Sequence, residues 1–391
     1  MSHDVVDLCK ELIALPSINP MGRGQPPAEL CGEGRVNDYV LSFARAHRLD
    51  TVIQKTGLEG RENVGILFHK SASHKTILFH AHTDTVDVGE DTNLLRPAER
   101  DGRIYGRGAC DDKGALAALL SAMAHVSQNP REAAGNILLF AVADEEYSWR
   151  GAAALVSQEP SRSADLGVVC EPTSCALVNG YKGVARWDIR TSGVRCHSSE
   201  PERGDNAIYK MGQILLLIRQ FHEELARRGR DEFFGHDTLS VGAIRGGTAV
   251  NIVPDHCEIE IDARLVRGTT PAGIRDALAA YLRRHGVEFP FESSPLKDAE
   301  EAALLPAEHP GMRLLQEAAR ALGEETQPRQ VAFGSDAYRM NAAGIPTALW
   351  GPGSIRVAHG PEEFCEVREL HRAVAFYRTV MSSDLRGCLP C

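Results

Sequence analysis

Five short stretches carry residue types that could do chemistry together. HAHTDTVD (80–87) closes an apolar run with His80, His82 and Asp84 in alternation. Alternate residues of a strand share a face. This spacing therefore aims the three side chains the same way, with histidine as ligand and a carboxylate to fix its ring. A solvated strand end gives the same pattern. GRGACDDKG (106–114) sets Asp111 and Asp112 between glycines, just before a helix. Either acid could bind a cation, and either could cap that helix. ADEEYSWRG (143–151) follows the apolar run NILLFAVA with three consecutive acids. These repel one another unless a cation or proton intervenes. Glu146 could hold a metal while Glu145 takes a proton from water. VVCEPTS (168–174) presents Glu171 where Pro172 ends a run, and WGPGSIRVAHGPEE (350–363) presents His359 after a glycine-rich loop.

Each stretch is ambiguous alone, but together they form a pattern. Each follows or closes a predicted strand, and α/β sheets gather their sites at the carboxyl ends of strands. Two histidines and three acids so placed match a two-metal hydrolytic centre with a bridging carboxylate.

The elements that must position these residues alternate along the chain. Apolar runs at 64–68, 76–80, 136–142 and 166–170 are separated by helical patterns near 35–47 and 114–127, after a first helix that stops before Pro16. Such alternation predicts a largely parallel buried sheet with helices on its faces. From about residue 180 the grammar changes. A strand at 184–192, a helix at 205–228, strands at 239–244 and 257–265, a helix at 271–285 and an apolar stretch at 287–292 spell βαββαβ, the ferredoxin-like split motif. Beyond 295 the first pattern resumes, with a helix at 309–322, a strand at 346–350 and a helix near 364–381. The expected fold is α/β: a mainly parallel-sheet hydrolase domain (1–179 and 296–391) interrupted by an α+β domain (180–295). The Pro- and Gly-rich segment 16–34 is the most linker-like.

The whole sequence resembles the co-catalytic zinc amidohydrolases that include acetylornithine deacetylase, succinyl-diaminopimelate desuccinylase, aminoacylase and bacterial glutamate carboxypeptidase. The five motifs stand in family order, with Ala81 where the family commonly has glycine. The resemblance implies two divalent metal ions, Zn²⁺ in first place with Co²⁺ or Mn²⁺ as alternatives. It implies His82 and Glu171 on one ion, Glu146 and His359 on the other, and Asp111 between them. Glu145 is then the general base, and Asp84 orients His82. The inserted domain is implied to be a lid and dimerisation domain. Within GVRCHSSEPERGDNAI (193–208), His197 matches a histidine that stabilises the oxyanion in a partner subunit's site. Asn251 and Arg264, in GGTAVNIVPDHCEIEIDAR (246–264), match substrate-binding positions, and Gly351 and Gly353 match a loop near the substrate carboxylate.

The implied activity is hydrolysis of the amide of an N-acylated amino acid, with the acetylornithine deacetylase branch favoured by the 351–363 segment. A metallo-carboxypeptidase or dipeptidase using the same metals is the alternative within the family, and a non-catalytic metal-binding relative the alternative outside catalysis. The partners expected are a small N-acyl amino acid or short peptide and a second copy of the chain.

Composition narrows the field further. With 43 Lys+Arg against 53 Asp+Glu, the formal charge is −10, which disfavours nucleic acid and anionic membrane as partners. No apolar run approaches the 18 or so residues of a membrane span. Asp4, Asp7, Lys10 and Glu11 stand where a secretory leader would be apolar, so a cytoplasmic location is expected. Ten cysteines without a paired CxxC pattern suit a reducing compartment. The single CxxC, Cys388 to Cys391, reads as a reduced tail. There is no GxGxxG after a strand, no Walker loop and no GxSxG elbow.

Overall fold

A computed structural model describes residues 4–20, 26–229 and 231–384. The Cys388–Cys391 pair and residues 21–25 of the 16–34 segment lie outside the described residues. The chain divides into two units. The first comprises Met1–Asn179, Leu305–Arg329 and Ser335–Cys391; the second comprises Gly180–Leu304 and Gln330–Gly334.

In the first unit a sheet runs in the order Asp50–Gln54, Asn63–Phe68, Asn136–Val142, Thr76–His82, Leu166–Val169, Thr347–Leu349. The last four strands are parallel. Burial of both faces explains their unbroken apolar sequences, as in NILLFAV, where every residue is buried. The first two strands are antiparallel to their neighbours. Asp50–Gln54 was not foreseen: its mostly exposed residues carry too little apolar signal to mark an edge strand. Helices Val5–Ile13, Lys113–Gln128 and Val367–Met381 share one core with the sheet, joining Leu8, Leu12, Leu116, Leu119, Leu370 and Phe376. Asp4 caps the first of them by accepting from the Val6 and Asp7 amides.

The second unit is an antiparallel sheet in the order Thr238–Gly246, His256–Leu265, Gly183–Ser192, Phe291–Ser293, with helices Ala207–Arg228 and Pro271–Arg284. Asn206 and Thr270 cap these helices through their side chains. The strand His256–Leu265 shows why the split motif was readable: Cys257, Ile259, Ile261, Ala263 and Leu265 join Ile214, Phe221 and Leu278 in the core. Between them, Glu258, Glu260, Asp262 and Arg264 face the other way.

Candidate metal centre

The carboxyl ends of the parallel strands converge on one cluster. His82 is the last residue of its strand, Glu145 and Glu146 follow the strand ending at Val142, and Glu171 follows the one ending at Val169. His82 Nε2 lies 2.8 Å from Asp111 Oδ1. His359 Nε2 lies 3.1 Å from both Asp111 Oδ2 and Glu146 Oε1. Asp111 thus has one oxygen toward each histidine, the geometry a bridging carboxylate needs. Asp112 occupies the N-cap position of the following helix, but its side chain makes no capping bond there, and the Asp111 oxygens are turned to His82 and His359 instead. Helix Lys113–Gln128 begins directly after the pair.

Buried hydrogen bonds hold this cluster. Asp84, fully buried, accepts from the Glu145 amide at 3.0 Å and the Glu146 amide at 3.1 Å, and its own carbonyl takes His82 Nδ1 at 3.0 Å. That contact leaves Nε2 for a metal. On the opposite side Glu363, also fully buried, accepts from the Cys110 and Asp111 amides at 3.1 and 3.2 Å. Arg107 donates to Glu363 at 2.5 Å and reaches the His359 carbonyl at 3.4 Å. Glu363 and Arg107 escaped the sequence reading because an acid in HGPEE looks like part of a solvated turn, and its neighbour Glu362 is one.

The electrostatics call for a cation. Burial pushes the Glu171 carboxyl well above the usual carboxylate range, and Glu145 and Asp111 push it further. Burial does the same to Glu145, with Asp336 and Glu146 adding to it. Glu146 is raised as well, by burial above all. Burial also acts on Asp111, but His359 and His82 hold it below the ordinary range. His359 is pushed up to about 10 by its bonds to Asp111 and Glu146. Burial lowers His82, but its bonds to Asp111 and Asp84 raise it well above the ordinary imidazole value, so protons favour the same ring nitrogens that a metal would use. Divalent metal requires neutral imidazoles and ionised carboxylates, so it replaces those protons. Glu171 Oε1 is buried with no hydrogen-bond partner. His82, Asp111 and Glu146 offer ligand atoms all within 4.8 Å of one another. The donor set of imidazole and carboxylate suits Zn²⁺ and its neighbours.

Other expected residues fall elsewhere. His80 does not join His82: its Nε2 meets Asp336 Oδ2 at 2.7 Å, and both side chains are fully buried. Strand alternation puts His80 on the same face, but the nearest acid there comes from far along the chain. Gly351 and Gly353 line the back of the centre. A Cβ on Gly351 would meet the Glu171 carbonyl at 2.6 Å, and one on Gly353 would meet Cys110 Cβ at 2.3 Å. In the second unit, His197 pairs in register with Ile252, and the Asn251 carbonyl accepts from the Ser198 amide at 3.1 Å. The structure therefore brings His197 and Asn251 side by side, both exposed. Arg264 is not with them. Its guanidinium donates twice to Asp262 of the same strand, at 2.8 and 3.2 Å.

Residues 78–383 match the family described as peptidase family M20/M25/M40. An acetylornithine deacetylase of Myxococcus xanthus is 30% identical over 347 residues, covering 86% of this chain and 89% of that one. A probable carboxypeptidase of Emericella nidulans is 27% identical, covering 97% and 89%. In fold, a tripeptidase from Staphylococcus aureus matches with a TM-score of 0.77 at 20% identity, over 98% of each chain. A metallo-carboxypeptidase from Sulfolobus solfataricus matches at 0.76 and 18%, over 98% and 99%. A family match over residues 78–383, joined to a relative 30% identical over 86% of the chain, makes the chain a member of peptidase family M20/M25/M40 and a metal-dependent amidohydrolase.

Proposed function

We propose that the chain hydrolyses the amide bond of an N-acylated amino acid, in the manner of the acetylornithine deacetylases it resembles. The observation that carries this reading is the convergence of four side chains: His82 lies 2.8 Å from Asp111, His359 lies 3.1 Å from both Asp111 and Glu146, and the ligand atoms of His82, Asp111 and Glu146 fall within 4.8 Å of one another. His82 and Glu171 would hold one divalent ion, Glu146 and His359 a second, with Asp111 shared between the two sites. Divalent ions held there would acidify a water and polarise the amide carbonyl. Zn²⁺ is the first choice, with Co²⁺ or Mn²⁺ able to serve.

The chain's own groups do the rest. Glu145 accepts the water's proton, aided by the raised affinity that burial gives its carboxylate. It later returns that proton to the leaving nitrogen. Asp84 fixes His82 and the backbone of both glutamates. His197, beside Asn251, donates to the developing oxyanion, and the Gly351–Gly353 loop receives the substrate carboxylate, while Arg264 stays paired with Asp262. The inserted unit pairs two copies of the chain, with His197 serving the partner's site, and the enzyme works in the cytoplasm. No helix among the described residues is long and apolar enough to cross a membrane.

A carboxypeptidase or dipeptidase is the second reading, favoured by the Emericella nidulans relative and by the fold neighbours. Chelation followed by Zn²⁺ or Co²⁺ addition, with rates on N-acetyl-, N-succinyl- and N-aminoacyl-amino acids, tests both. Activity that returns with metal and is fastest on N-acetyl substrates supports the deacylase. Preference for the aminoacyl set moves the assignment to a peptidase, and activity indifferent to metal overturns the centre.

A further inference from the structure

Behind the acidic turn lies a buried network that the reaction as described does not use. Glu33 and Asp144 are fully shielded, and Asn19 and Arg61 are nearly so. Arg61 grips Glu33 with two bonds of 2.7 Å, from Nε to Oε2 and from Nη2 to Oε1. The same Nη2 stands 3.2 Å from Asp144 Oδ1. Glu33 Oε1 also accepts the Asp144 amide at 3.1 Å. Asn19 Nδ2 donates to Asp144 Oδ1 at 2.9 Å and to Asp84 Oδ2 at 2.8 Å. Asp84 in turn holds the Glu145 and Glu146 amides. On the far side of the turn, Asp144 Oδ2 takes Ser148 Oγ at 2.5 Å and the Arg150 amide at 3.3 Å.

Three carboxylates, from Glu33, Asp144 and Asp84, therefore surround one guanidinium and one amide in a space closed to water. A buried carboxylate that loses its donor costs several kcal/mol. The backbone adds to the demand: Asp144 sits at φ +66° and Trp149 at φ +55°, so left-handed residues bracket Glu145 and Glu146. A non-glycine residue keeps that conformation only where its surroundings impose it. The Asp144 amide and carboxylate are held by Glu33, Arg61 and Asn19, which come from separate earlier parts of the chain.

We propose that Arg61 is a positioning residue for hydrolysis: with Glu33 and Asn19 it fixes Asp144 and Asp84, and through them the turn that presents Glu145 and Glu146. The role rests on the assignment of Glu145 as base and Glu146 as metal ligand. Arginine is required for its fork, which engages both oxygens of Glu33 and still reaches Asp144. A lysine ammonium is a point charge and does not span all three.

The test compares wild type, Arg61→Lys and Asn19→Ala, each stripped with chelator and checked for folding by circular dichroism and gel filtration. Zn²⁺ or Co²⁺ affinity is read by calorimetric titration, and kcat and KM are read on the N-acyl amino acid that wild type cleaves fastest. Outer contacts to metal ligands typically change affinity or activity by about 10–100-fold. Both variants are expected to lose kcat and metal affinity in that range, with KM within about 2-fold. Folded variants with wild-type kcat and wild-type affinity overturn the proposal. If Arg61→Lys does not fold, Asn19→Ala decides; if neither folds, the network serves the fold alone and the proposal fails. A wild-type chain that binds no divalent cation overturns the metal centre and this role with it, whereas a metal-binding wild type matched by its variants overturns only the role.

Discussion

Replacing Gly353 with alanine isolates how tightly the glycine loop is built against the metal centre. Gly353 has φ +84°, and a Cβ there would stand 2.3 Å from Cys110 Cβ and 3.0 Å from Cys110 Cα. Two costs add. The left-handed backbone costs an L-residue about 1–2 kcal/mol, and overpacking against atoms that cannot rotate away costs about 1–3 kcal/mol. The expected loss is therefore about 2–5 kcal/mol of unfolding free energy. Gly57 supplies the control, because it has φ +81° and nothing within 4 Å of its absent Cβ. Gly57→Ala should cost only the backbone share, about 1–2 kcal/mol. Relieving the Gly353 clash to an ordinary carbon contact moves the neighbouring backbone by roughly 1 Å. Cys110 precedes Asp111, so that shift reaches the Asp111 carboxylate, and a misplacement of about 1 Å can lower turnover by about 10²-fold. Urea unfolding of both variants, with kcat measured beside it, checks the sum. If Gly353→Ala is no less stable than Gly57→Ala and turns over at the wild-type rate, the packing argument is refuted. A rise in KM alone, with stability matching the Gly57 control, would instead make Gly353 a substrate contact.

Three further outcomes are expected. Glu145→Ala should lose at least about 10²-fold in kcat while keeping its metal, and Glu146→Ala should also lose metal from one site, as metal analysis per chain will show. In the second unit, burial pushes the Asp262 carboxyl up, but Arg264 and Arg186 pull it below its ordinary range. Its stabilising share is therefore present above about pH 4, the unfolded value, and is lost as pH falls through the lower folded value. Asp262→Asn should be less stable than wild type at pH 7, and the gap should close in acid; a gap that widens in acid refutes the pairing. His197→Ala should lower kcat by about 10²–10³-fold with metal content unchanged. Mixing it with Glu145→Ala chains should restore part of the activity if His197 acts on the partner's site, and formed heterodimers that stay inactive exclude that route.

What the sequence made legible follows from how locally each feature is specified. His82, Glu146 and Glu171 end or follow apolar strands, so their place at the carboxyl ends of those strands could be read from the sequence pattern. The split motif of the second unit was equally readable, because its helices and strands each bury one face. Partner choice was not readable. His80 shares its strand face with His82, yet it pairs with Asp336, 256 positions away, and no periodicity encodes that distance. Asn19, Glu33 and Arg61 come from loop and helix ends without a pattern, and their common purpose exists only once the chain has folded. The parallel sheet was anticipated from its buried strands, while its antiparallel edge at Asp50–Gln54 was not, because an exposed strand leaves little apolar trace.

The way the long segment of the second unit, Gly180–Leu304, begins and ends bears on how the chain tolerates so large an interruption. Gly180 and Tyr181 pair antiparallel with Leu304 and Ala303, so the segment enters and leaves side by side. Immediately outside it, the Leu305 amide donates to the Asn179 carbonyl at 2.7 Å, and Asn179 Nδ2 returns a bond to the Leu305 carbonyl at 2.7 Å. A flexible loop of such length would cost about 4 kcal/mol to close. Here the inserted fold brings its own ends together, so the interrupted sheet receives what amounts to a two-residue joint. The spacing between Asn179 and Leu305 is then fixed by the bonds of those two residues themselves, so a longer or shorter insertion between them leaves that joint unchanged.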